Sequence, residues 1–245
     1  MKIKDELNKA LAARNTAKGH IAAAEEMYRI SMDSLYNRHA KNEITGGFFD
    51  QEKARLKQEL ETKKAEALQP LEQIREDFHK AVDAWALPSG ADLDMNTVWI
   101  LQNMDLSADQ YNAMLEANRT NYTMYCAIRK AAEAKRAAVS EANAGRPINQ
   151  QIPFDLADPI QTPEARKAEF DTFLLSMQVS LGDHYVTAVD LDNPSAGHFA
   201  SIADKLSATA ARFAERIQPI EDGDDTSAED FPYKVEDAAE VPKVW

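Results

Sequence analysis

The chain has 245 residues, one cysteine, 28 Lys+Arg against 41 Asp+Glu and a formal net charge of −13. One cysteine excludes a disulfide framework and a cysteine zinc site, and an acidic chain with a pI near 4.9 is unsuited to generic nucleic-acid binding, which needs clustered Lys and Arg. No stretch approaches the ~20 apolar residues of a membrane span, and the charge-alternating start MKIKDELNK does not read as a secretory signal.

Charge divides the chain into three parts. Residues 1–87 hold 15 basic and 15 acidic side chains, residues 88–218 hold 11 and 17, and residues 219–245 hold 2 and 9. The expected organisation is a neutral helical arm (1–87), a helical body (88–218) and an acidic tail (219–245). The expected fold class is all-α.

Residues 3–41 contain no proline and one glycine, and Ala, Glu, Lys, Leu and Arg dominate. Ile3, Leu7, Ala10, Ala17, Ile21, Ala24, Tyr28 and Leu35 recur at the alternating four-three spacing of a heptad seam. Arg14 and Ser31 interrupt it. The Gly46-Gly47 pair is expected to reverse the chain, with Asp50 capping the helix that follows. Residues 50–86 repeat the pattern with Leu56, Leu60, Ala67, Leu71, Ile74, Phe78, Ala81 and Trp85, interrupted by Lys63 and by Pro70, which should kink the run. Two helices of roughly 55–59 Å at ~1.5 Å per residue, joined by a short turn, fold back as an antiparallel hairpin. Ile3, Leu7, Ile21, Leu56, Leu60 and Ile74 are its expected seam.

Beyond Leu87-Pro88-Ser89-Gly90, Ser107 and Gln110 form a capping box that opens a helix predicted over 108–143. Its second half, 131–144, is almost all Ala, Glu, Lys and Arg and offers little to bury. Prolines 147, 153, 159 and 163 make residues 146–163 an extended connector. Pro163 starts a helix carrying Phe170, Phe173, Leu174, Met177 and Leu181. A last amphipathic helix is predicted from about Ser195 to Ile217. The tail ends in aromatic residues, and Phe231, Tyr233 and Trp245 are its expected partner-binding anchors: rings supply buried area and the adjacent prolines limit the entropy lost on docking.

No motif names a reaction. The chain lacks GxGxxG, a P-loop, GxSxG and HExxH. Asp92, Asp94 and Asn96 match the first ligands of a calcium loop, but Thr97 stands where glycine is needed, so helix capping is the better reading and no metal or other cofactor is expected. His20, His39 and His79 read as solvated or interface residues. Cys126 reads as a buried structural thiol. The one acid–base candidate is Asp183 and His184 with His198.

The segments DELNKALAARNTAKGHIAAAEEMY, NEITGGFFDQEKARLKQELETKKAE and FHKAVDAWALPSG, spanning the first ~90 residues, resemble helical structural and assembly proteins encoded among the head and tail genes of tailed bacteriophages and prophages. The resemblance implies a non-enzymatic, head-, neck- or capsid-associated component, found in the virion or the host cytoplasm. It would be homo-oligomeric or bound to capsid or portal subunits. It carries over no catalytic residue. A scaffolding protein proper often ends in a basic helix, whereas this C-terminus is acidic and aromatic. A cytosolic coiled-coil adaptor unconnected with virions is the alternative from another class.

Overall fold

The structure is a computed structural model that describes residues 2–179, 209–218 and 220. Among these residues it is all-α, with no strand. Helix α1 runs Ile3–Ala40 and α2 runs Gly46–Ala86, 38 and 41 residues long, and they pack against each other as the expected antiparallel hairpin. Then come α3 (Met95–Asn103), α4 (Ala108–Ala117), α5 (Tyr122–Asn143) and α6 (Pro163–Val179). Residues 209–216 are also helical.

The hairpin turn differs from its sequence reading. Asn42 carries the left-handed backbone, with φ 59°, a conformation Asn tolerates better than most residues. Gly46 and Gly47 are already helical, and the cap is Thr45, whose side chain accepts from the Phe48 amide at 3.3 Å; Asp50 lies inside the helix. A threonine hydroxyl three residues before that amide is closer than any group Asp50 could offer. Phe49 closes the tip beneath Tyr36 and His39, with ring centroids 5.2 and 4.8 Å away.

Two apolar clusters divide the chain unlike its charge. The larger joins the hairpin base (Ile3, Leu7, Ala10 and Leu11 with Leu71, Phe78 and Val82) to Phe170, Phe173, Leu174 and Met177 of α6 and to Phe213, Ala214, Ile217 and Ile220. Phe78 and Phe170 are stacked at 3.9 Å and both are fully buried. The smaller gathers Leu106, Tyr111, Leu115, Met124, Tyr125, Ile128, Ala132 and Ile160. Residues 163–179 and 210–220 therefore close the hairpin base rather than a separate body.

The helix predicted over 108–143 is broken at residues 118–121. The capping box at its start is present in both directions, Ser107 N–H donating to Gln110 Oε1 and Gln110 N–H to Ser107 Oγ. Asn118 then donates its side-chain amide to the Met114 carbonyl. Asn121 caps α5 through the Met124 amide and donates to the Asp92 carbonyl. These side chains offer the backbone alternatives to helix. Asp94 caps α3, accepting from the amides of Asn96 and Thr97. The extended connector is held by side-chain amides: Asn112 brackets Asp155 and Ala157, and Asn143 meets both N–H and C=O of Ile152.

Trp85 joins the two clusters. It packs against both. Its indole N–H donates to the Thr120 carbonyl at 2.8 Å, and its ring lies 4.5 Å from Tyr122. The Arg166 guanidinium lies 3.9 Å over it. Arg166 is 1 % exposed, and burial, then Arg119 nearby, lowers its pKa to about 10.

Candidate functional site: a groove on the hairpin

Above the base, the two rods touch through small side chains. Ala17, Ile21 and Ala67 form a cluster with Leu68 beside it. Alanine at such a contact brings helix backbones close but buries little. Further toward the tip the rods leave a groove of ≈ 450 Å³ between them. Ala24, Tyr28, Leu56, Leu60 and Ala67 supply its more covered surface, and His20, Ala23, Met27, Glu59 and Lys63 its more exposed surface. Met27 is 70 % exposed, and Ile30, one turn on, is 54 % exposed. Exposed methionine and isoleucine on a long helix are apolar area that water still covers.

The charges beside this groove are paired locally. Arg29 donates to Glu26 at 2.6 and 2.8 Å and to Asp33 at 3.3 Å. Arg55 does the same with Glu52 and Glu59, and Lys63 with Glu66. The hydrogen bonds from Arg29 hold the Glu26 carboxyl below its usual range. Lys64 of α2 reaches Glu25 of α1 at 2.7 Å and ties the rods together. The result is an apolar stripe flanked by mutually neutralised charges.

The expected seam residues fall in three places. Ile3 and Leu7 are fully buried, in the base cluster with α6 and residues 210–220, and Ile74 is half-buried beside it. Ile21 lies in the thin alanine contact. Leu56 and Leu60 are half-buried in the groove. Arg14, which interrupts the apolar pattern, is nevertheless 1 % exposed.

Cys126 is exposed, not buried as expected: it sits on the outer side of α5 while Tyr125 and Ile128 face the core. Burial, then the adjacent Cys126, raises the Tyr122 phenol. His79 pairs with Asp171 of α6 at 2.8 Å, an interface contact within the chain. Phe231, Tyr233 and Trp245 lie outside the described residues, as do Asp183, His184 and His198.

Sequence reasoning missed Ala23, Met27 and His20 as part of a site. The signal was there. Thr16, His20, Ala23, Met27, Ile30 and Ser34 follow a second four-three register, and all six are exposed. Three polar members hid it.

Among the described residues no three His, Cys, Asp or Glu side chains converge as a metal site would need, and no helix is long and apolar enough to cross a membrane. No protein-family model, curated protein or solved structure matches the chain.

Proposed function

We propose that the chain is a non-enzymatic structural or assembly component that acts through helix–helix contacts of its hairpin. On the resemblance of its first ~90 residues, we place it with a phage particle, head-, neck- or capsid-associated, in the virion or the host cytoplasm. The observation that carries the reading is the groove between α1 and α2, with Met27 and Ile30 left largely to water beside it. A helix that buries one apolar stripe and exposes another is built to meet a further helix. The base, closed by α6 and residues 210–220, is the anchored end; the rods beyond it are the presenting end.

Mass spectrometry of purified particles from a host carrying the gene tests this. The chain should be present at a fixed ratio to the capsid or portal subunit, or in the assembly intermediate and not the finished particle. Absence from both would reject the virion assignment. Loss of particles on deleting the gene, restored by the parent chain and not by Met27→Asp, would tie assembly to the groove.

A further inference from the structure

We infer that the groove face of the hairpin is a homotypic interface, on which a second copy of this chain lies antiparallel, α1 against α1, to make a four-helix bundle. The inference rests on the assembly reading above and names its first partner. The stripe Thr16, His20, Ala23, Met27, Ile30, Ser34 has the alternating four-three spacing of a helix seam and is exposed throughout.

Charge selects the occupant. The hairpin segment 1–87 holds equal numbers of basic and acidic residues, so the whole net charge of −13 lies beyond it. A strongly cationic partner would be drawn to the remainder of the chain. The neutral arm, with its charges paired within each helix, is where two copies of an acidic protein meet without repulsion. Area agrees. The 21 residues from Asn15 to Leu35, centred on residue 25, rise ~31 Å, and two helices ~10 Å across give a face of roughly 630 Å². Stable interfaces bury about 600–1,000 Å² from each partner.

The same charge sets the direction. A parallel pair would bring two acidic bases side by side. An antiparallel pair puts them at opposite ends of the arm, several Debye lengths of ~8 Å apart. The stripe is centred near residue 25, so the two-fold axis passes between Ala23 and Met27, and Met27 of each copy faces Ala23 of the other.

Light scattering on the full chain between 1 and 100 µM, paired with cysteine cross-linking in a Cys126→Ser background, tests this. The expected mass is twice 27.3 kDa. Met27→Asp should weaken the dimer at least tenfold while leaving the circular dichroism spectrum unchanged, because Met27 touches little in the free chain. Met27→Cys, whose copies lie about 6 Å apart along the helix axis, should be joined across the dimer by a short bismaleimide. Ser34→Cys, on the same stripe, should not: it lies ~13 Å along the helix from the axis, so its copies stand ~27 Å apart. A monomer at 100 µM, including one whose own residues 180–208 fill the groove, overturns the inference. So does a dimer indifferent to Met27→Asp, or cross-linking at both positions, which means a parallel pair. A monomer still found in purified particles would sink this inference and leave the assembly reading standing. A dimer absent from every particle and intermediate would do the reverse.

Discussion

Trp85 is where the structure makes its most exposed commitment. Its ring is shared by the base cluster and the α4–α5 cluster, faces Arg166 at 3.9 Å and Tyr122 at 4.5 Å, and hydrogen-bonds the Thr120 carbonyl. Truncating a core tryptophan to alanine costs about 3–5 kcal/mol in transfer and cavity terms. The contact with Arg166, worth roughly 0.5–2 kcal/mol, and the indole hydrogen bond, worth about 1 kcal/mol net, are lost in the same change. These contributions overlap and the residue is only partly buried, so Trp85→Ala is expected near 4 kcal/mol. Trp85→Phe keeps a ring under the guanidinium and loses the N–H, for an expected cost of about 1–2 kcal/mol. At ~2–4 °C per kcal/mol for a chain of this size, the alanine variant should melt roughly 8–16 °C lower. Urea denaturation should be followed by far-ultraviolet circular dichroism and by tryptophan fluorescence in a Trp245→Phe background, which leaves Trp99 on α3 as the fluorophore of Trp85→Ala. In the parent the two signals should coincide. In Trp85→Ala the fluorescence change should come first, because the smaller cluster has lost its tie to the larger. A Trp85→Ala variant within 1 kcal/mol of the parent, or a phenylalanine variant as damaged as alanine, would refute the reasoning.

Phe78→Ala removes one half of a fully buried stacked pair; it should cost about 3–5 kcal/mol by chemical denaturation, while Phe78→Leu costs far less. Asn42→Val, at φ 59°, should destabilise by about 1–2 kcal/mol because a branched side chain resists the left-handed region. Gly47→Ala has open space for its methyl and ordinary helical backbone, so it should stabilise by up to ~1 kcal/mol; a large loss would restore the glycine pair as the true pivot. Asp94 accepts from Thr97 Oγ1 and from two amides at the start of α3, which lower its carboxyl below the usual 3.8. A depressed carboxyl gives stability that is complete above its unfolded value and is lost as pH falls through its folded one. Protection of the α3 amides, relative to their intrinsic exchange rates, should therefore fall below pH 3.8 in the parent, while Asp94→Ala should show the lower protection at all pH values.

The hairpin was legible because its helices need no tertiary help to be recognised: long runs of strong helix formers with a four-three apolar rhythm. Its turn was misread because glycine is the louder signal, whereas Asn42 and Thr45 do the work through a tolerated left-handed backbone and a single hydroxyl. The break at Asn118–Asn121 was invisible for a different reason. No glycine or proline marks it, and it depends on Asp92, which only the fold brings to Asn121. The groove was half-legible. Leu56 and Leu60 stood out as apolar stripe members, but the exposed stripe of α1 was masked by Thr16, His20 and Ser34. Arg14 shows the limit of pattern reading: a charged residue at a seam position looks like a gap, and here it is among the most buried side chains in the molecule.

The base cluster unites Ile3 and Leu7 with Ile217 and Ile220, residues separated by more than 200 positions. During synthesis the two rods, which end at Ala86, are complete well over a hundred residues before Ile217 is made, so they can coil on one another early and cheaply. Their root cannot close until the ribosome has released Ile217 and Ile220. Joining such remote partners carries the entropy of a very long loop, and until then Phe78 and its neighbours face water. The nascent protein therefore passes through a stage with a finished stalk and a greasy, unsealed root. A chaperone, or a sister chain made on the same message, would find its purchase there.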